Sequence, residues 1–405
     1  MKKLFLGFCL LVGFGTQAQT VADQPFLQDS ADKFSLKEGE GNVNLLQIGS
    51  DRNKAIKVLS SQGLMLPYEK NLRQDVQYRP LLDMNIVALT EYQGQFVYLT
   101  EKAVLSNAWA GKLYINHGIE APKAMGMGPD FLTLVAGEGN FAIFKNNQEV
   151  WRSSIESLNP ISVQYDPNSG QFLLLTAEGL YQVDSVLKTA KKVFDGNDLT
   201  AFSLFEDTIV LGTTNGIQLL DRKTFTLNKL DQKLPWTEIT SVNNIRGNLW
   251  FGSTKGAFKL REDGKYDYYA SKRWLVDDHV ADIAEGPDGS VLVLTQKGMS
   301  KIDFEPMTLA QKAEYFQEIQ RLRHIRYGFT SDLAMRTPGD LATGYFHDTD
   351  NDGLWTSMYL AGELFRYAVT KSEDAKQNAY EAFEAMERLT ALPDLKGFPA
   401  RSFER

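Results

Sequence analysis

The sequence predicts a mainly β protein: a seven-bladed β-propeller whose last blade is completed by an N-terminal strand, followed by an α-helical segment. Three observations carry that expectation. A pattern of apolar run, polar pair, glycine and apolar run recurs along the chain. No helical periodicity is visible between about residues 40 and 303. Helical periodicity then takes over from Thr308.

The repeat is clearest at Leu249-Trp250-Phe251-Gly252-Ser253-Thr254-Lys255-Gly256 and at Ile209-Val210-Leu211-Gly212-Thr213-Thr214-Asn215-Gly216. Copies around Gly179 and Gly298 are nearly as clear, and those around Gly63, Ala103 and Gly139 are weaker. The anchors are spaced by 36 to 42 residues, close to the blade period of about 40–50 residues. Each copy reads as a tight hairpin, because short apolar runs flank a turn whose glycine accepts positive φ. Helical solenoids share this period but need apolar runs at 3.6 spacing, and Val, Leu, Phe, Tyr and Thr in short runs favour strands instead.

A ring of sheets must dispose of its free edges. The last copy ends near Phe304 with no room for a fourth strand. The early segment Asp32–Lys37 resembles Lys223–Asn228, the outer strand of an internal copy. Residues 32–37 are therefore expected to complete the last blade.

The chain has 405 residues, 43% of them hydrophobic and 23% charged, with net charge −8. That is the composition of a globular protein with real cores, and its acidic balance argues against a nucleic-acid partner. The N-terminus reads as a signal peptide over residues 1–18. Lys2 and Lys3 are followed by the apolar run Leu4–Phe14 and by Thr16-Gln17-Ala18 as a cleavage site. The propeller is then assigned to 19–304 and the helical segment to 305–405, in an exported protein, periplasmic or secreted. Cys9 is the single cysteine, so after cleavage no disulfide, thiolate metal site or thiol nucleophile is available. No later stretch is long and apolar enough for a transmembrane helix.

The segment Leu249–Gly256 resembles the two-component regulator propeller repeat, and Val280–Gly289 resembles the strand and turn that precede that family's next motif. The resemblance covers residues 40–303 and is strongest over 200–303. It implies a periplasmic sensor propeller of the kind found in hybrid histidine kinases of Bacteroidetes. The motif is structural and speaks to fold before ligand. No transmembrane helix or kinase follows the repeats here.

In the C-terminal segment Ala313, Phe316, Ile319, Leu322 and Ile325 recur at helical steps over Gln311–Tyr327. A second helix is expected from Asp352 or Gly353 to Thr370, and a third, capped by Ser372, to Leu389. The stretch Asp350–Val369 resembles the helical region of (α/α) toroids in secreted carbohydrate-active proteins. That resemblance implies the incomplete start of a toroid, as in a polysaccharide lyase or glycoside hydrolase.

The sharpest polar cluster is His347-Asp348-Thr349-Asp350-Asn351-Asp352-Gly353. Asp348, Asp350 and Asp352 offer oxygen ligands at alternate positions, as in calcium loops, but position 12 is Tyr359 where a glutamate is required. An Asp-capped helix start explains the same pattern. A third reading is catalytic: Asp352, Trp355 and Tyr359 share a helix face with His347 before them, while acid–base work on a sugar also needs a second carboxylate opposite. Calcium is the sole cofactor the sequence suggests. Trp236 and Trp274 fall between repeats, where exposed rings stack on sugars, and are the ligand-binding candidates; Trp250 lies inside a strand and is core. No Gly-rich phosphate loop, nucleophile elbow or zinc spacing is present. The expected function is recognition of a glycan or protein partner on the propeller face. The alternative is the N-terminal part of a secreted polysaccharide lyase or glycoside hydrolase.

Overall fold

A computed structural model describes residues 23–37, 43–76, 84–109, 113–337, 340–346 and 350–403. The leader (1–18), His347 and Asp348 lie outside the described residues. The chain divides into two compact units, one spanning Gln28–Glu305, the other combining the segment up to Leu27 with Pro306–Arg405.

The first unit is built of β-strands, with one short helix at Ser271–Trp274. Five four-stranded antiparallel sheets span 86–116, 122–154, 160–195, 199–231 and 239–269. The expectation was seven separate sheets; the other eight strands instead form one sheet. Its order is Leu45–Ser50, Ile56–Ser60, Gly63–Tyr68, Asn71–Gln74, Phe26–Ser35, Gly298–Met307, Val291–Thr295, Val280–Glu285. The cause is the N-terminal strand. Phe26–Ser35 lies between Asn71–Gln74 and Gly298–Met307 and covers an edge of each. It pairs in parallel with the former at Ser35 and Asn71, where the Ser35 amide donates to the Lys70 carbonyl at 3.0 Å. The strand starts six residues earlier than the expected 32–37 and stops at Ser35.

The first strand of each sheet packs beside the first strand of the next, and Val280–Glu285 packs beside Leu45–Ser50. Second strands are buried on both faces, as at Phe172–Thr176, which is why they read as unbroken apolar runs. Between neighbouring sheets Leu173, Leu175 and Leu180 meet Phe202, Ile209 and Leu211. Each such side chain stabilises the fold by about 1.5–3 kcal/mol. Fourth strands face solvent, as at Leu227–Lys229.

The recurring glycine has a specific physical role. At Gly216 and Gly256 φ is +115° and +117°, and a β-carbon would lie 2.5 Å from the Asp231 carbonyl oxygen and 2.7 Å from that of Tyr269, both on fourth strands. At Gly298 the carbonyl in that place belongs to Phe34, on the N-terminal strand. A hydroxyl three residues before the anchor closes the turn. Thr213 Oγ1 donates to the Gly216 carbonyl at 2.9 Å, and Ser60, Thr100, Thr176, Ser253 and Thr295 do the same at their own turns.

In the second unit Thr308 and Gln311 form a reciprocal capping box at the start of a helix, Leu309–Arg323. That helix stops short of the expected Tyr327. The chain turns instead through Tyr327 and Gly328, at φ +53° and +84°, and pairs Ile325–Arg326 with Phe329–Thr330. Two longer helices follow, Asp352–Thr370 and Glu373–Ala391. The Ser372 hydroxyl caps the latter by accepting from the Ala375 amide. The buried face of Glu373–Ala391 is largely alanine, at Ala375, Ala379, Ala382 and Ala385, which lets its neighbour Asp352–Thr370 approach closely.

Candidate ligand-binding cavity

Every first-to-second strand pairing of the β unit carries one register shift. A bulge leaves one residue unpaired and re-aims its neighbours. The residues just after the shifts are Gln47, Ala88, Ala124, Ser162, Ala201, Ser241 and Asp282. Five are alanine or serine; one is an amide and one a carboxylate.

These small side chains leave space. A cavity of about 690 Å³ is lined by Gln47, Ala88, Ala124, Ser162 and Asp282 together with their strand neighbours. Two of the lining groups bridge neighbouring first strands in the same manner. The Gln47 Oε1 accepts from the Leu89 amide at 2.7 Å, and the Asp282 Oδ2 accepts from the Ile48 amide at 3.0 Å. Gln164 Nε2 donates to the Phe202 carbonyl at 2.9 Å.

Asp282 is held by two further donors, its neighbour's Ile283 amide at 2.8 Å and the Ser241 hydroxyl at 3.3 Å. Protein surrounds it, yet it keeps some accessible surface. Burial pushes its carboxyl up to about 6, against which the three hydrogen bonds pull only partly. Among the described residues it has no ion pair.

The charged groups of the lining are mostly committed. Lys54 pairs with Asp288 at 2.7 Å, Arg246 with Glu285 at 2.6 Å and Lys123 with Glu138 at 2.6 Å. Asp51 accepts from the Asn53 and Ala55 amides, each at 2.9 Å. The lining offers carboxylates, amides and hydroxyls beside small apolar side chains, an arrangement suited to orienting a small polar molecule.

The sequence-singled aromatics lie elsewhere. Trp236 is 39% exposed and its Nε1 donates to Thr254 Oγ1 at 2.8 Å. Trp274 is half-buried and meets the Tyr269 ring edge-on at 5.2 Å. Trp250 is 2% exposed and stacks on Tyr269.

The helical unit has a cavity of its own, about 490 Å³, lined by Phe316, Gln317, His324, Asp332, Trp355 and Tyr359 among others. Tyr359 Oη accepts from Gln317 at 3.1 Å, and burial raises its phenol. Asp352 does not reach this cavity's lining. It is fully buried and accepts from Arg326 and the Ser331 hydroxyl, each at 2.9 Å, and from the Phe403 amide at 3.3 Å. Asp350 is exposed and pairs with Arg401 at 3.0 Å. Among the described residues no three His, Asp, Glu or Cys side chains form a metal cluster.

The chain has a propeller-like fold. A streptogramin B lyase structure superposes with TM-score 0.55 at 10% identity, over 68% of this chain and 98% of that one. Extracellular domains of two putative hybrid two-component systems from B. thetaiotaomicron superpose with TM-scores 0.54 and 0.55, both at 12% identity, over 69% of this chain. They are matched over 39% and 42% of their own length. No family model matches the sequence, and no curated protein does. Among the described residues of the propeller-like chain no helix is long and apolar enough to cross a membrane.

What the sequence missed is the cavity itself. Its small side chains are set by bulges, and the single weak signal was that Ala and Ser recur at one place in successive first strands.

Proposed function

We propose that this chain is an exported, sensor-like propeller that binds a small polar ligand, a glycan in the first instance, in the cavity at Gln47, Ser162 and Asp282. The observation that carries the reading is that cavity, about 690 Å³, walled by first strands from sheets far apart in sequence. The eight-stranded sheet is read as two blades sewn together by Phe26–Ser35, which makes seven with the five discrete sheets. Export rests on the leader-like residues 1–18, and the sensor role on the likeness to extracellular domains of two-component systems. Trp236 does not line this cavity and is kept on this reading as a separate candidate contact.

A glycan array probed with the purified chain, and again with Ser162→Trp, tests the proposal. Selective signals that vanish in the variant, with its melting temperature retained, support it. Signals that survive a filled cavity place the site elsewhere, and a blank array removes the glycan.

A second reading rests on the helical unit. Its cavity sets Trp355 and Tyr359 on one helix beside Phe316, as a sugar-binding cleft of a toroid-bearing lyase or hydrolase would. The Tyr359 phenol, raised by burial, keeps its proton at neutral pH, so Tyr359 would be a hydrogen-bond donor to a sugar in that cleft. Polysaccharide cleavage that disappears in Tyr359→Phe would favour this reading over the first.

A further inference from the structure

Asp282 is the exception in its layer. Where the equivalent positions in five other first strands carry Ala88, Ala124, Ser162, Ala201 and Ser241, this one carries a carboxylate. The equivalent of its bridging bond is made at Gln47 by a neutral amide, so bridging alone does not call for a charge. A neutral side chain would do the same structural work without the desolvation that a buried carboxylate suffers.

The usual remedy for a buried charge is a counter-ion, and among the described residues none pairs with Asp282. Of the lining cations, Lys54, Arg246 and Lys123 are engaged with Asp288, Glu285 and Glu138, and neither they nor Arg52 pair with Asp282. The three donors on Asp282 are neutral, two backbone amides and a hydroxyl. They fix both oxygens while leaving the charge uncompensated. A metal ion would want further ligands, and no cluster of three such side chains is found among the described residues.

We infer that the cavity is specific for a ligand carrying a protonated amine, an amino sugar on the glycan reading above, whose ammonium pairs with Asp282 while hydroxyls meet Gln47 and Ser162. This rests on the proposed cavity site and adds the chemical class of its occupant. An ammonium on a desolvated carboxylate gains a charge-assisted hydrogen bond that a neutral analogue lacks.

Three probes that differ at one ring position separate the ideas: glucosamine, N-acetylglucosamine and glucose, titrated into the full chain at neutral pH by ligand-observed NMR. The expected result is glucosamine binding about tenfold or more above the other two. In Asp282→Asn, which keeps an oxygen for the Ile48 amide, that preference should vanish and weak binding of the neutral sugars remain. Equal binding of all three probes, or a preference that survives in Asp282→Asn, overturns the amine inference and leaves the cavity reading standing. Glucosamine binding that persists in Ser162→Trp overturns the cavity as the site. No binding of any probe overturns the amino-sugar inference and counts against the glycan. Melting temperatures of both variants guard against misfolding as the cause.

Discussion

Gly298 lies against the carbonyl of Phe34, in the position that Gly216 and Gly256 occupy against Asp231 and Tyr269. The N-terminal strand thus fills the place of a fourth strand for the last repeat. It is tied again by Tyr269 Oη, which donates to Asp29 at 2.8 Å, and by Lys33, which donates to the Lys272 carbonyl.

Gly298→Val should therefore destabilise the β unit by about 2 kcal/mol or more, through backbone strain and a side chain driven into the Phe34 carbonyl. Gly63 offers the control. It too has positive φ, but nothing lies within 4 Å of a β-carbon there, so Gly63→Ala should cost only about 1 kcal/mol. Urea midpoints of the two variants give the comparison; equal losses would mean that the carbonyl contact is relieved.

The hydroxyl at each turn predicts a smaller, repeatable effect. Ser253→Ala and Thr295→Val remove donors to the Gly256 and Gly298 carbonyls and should each cost about 1 kcal/mol. Denaturant curves of the single and double variants should add, since the turns belong to different sheets.

His117 and Asp282 push stability in opposite senses with pH. His117 is fully buried, accepts from the Ile119 amide, and has its pKa lowered below 6.5 chiefly by burial. Its contribution is complete above 6.5 and is lost as pH falls below it, because the unfolded chain takes the proton first. His117→Gln should flatten the acid side of the melting-temperature profile relative to wild type.

Asp282 is raised from 3.8 to about 6. Its contribution is complete below 3.8 and declines as pH rises through 6, by on the order of 1–3 kcal/mol. Asp282→Asn should raise the melting temperature at neutral pH and leave it unchanged near pH 3.8. A neutral-pH loss instead would mean that the carboxylate is well compensated.

Asp352→Ala should unfold the helical unit locally, at about 3–5 kcal/mol, by stranding Arg326 without its partner. A folded variant with unchanged circular dichroism and near-wild-type stability would contradict this structural role.

The repeat was legible because its clearest glycines, Gly216, Gly256 and Gly298, answer a local demand, positive φ beside a crossing carbonyl, that recurs at near-constant spacing. Ser372 likewise marked a helix start by local chemistry, whereas Asp352, an expected cap, opens its helix without a side-chain cap bond. The cavity was not legible, because Asp282 acquires its meaning from Ile48, 234 residues away, and from a bulge that periodicity does not reveal. The same limit applied to Asp352. Its alternate spacing with Asp350 suggested a shared ligand role, but Asp350 faces solvent and Asp352 is sealed by Arg326 and Ser331. Trp274 looked like a loop aromatic and instead packs on Tyr269.

The sewn sheet also governs how the molecule is made. Phe26–Ser35 leaves the ribosome about 260 residues before its partner around Gly298, so one of its edges must wait exposed. Non-local pairing of this kind slows folding and offers the waiting strand to other chains. The last repeat is likewise an open edge until that strand returns. A ribosome-stalled or proteolytically clipped chain ending before Gly298 should therefore be sticky and short-lived, however complete its other sheets.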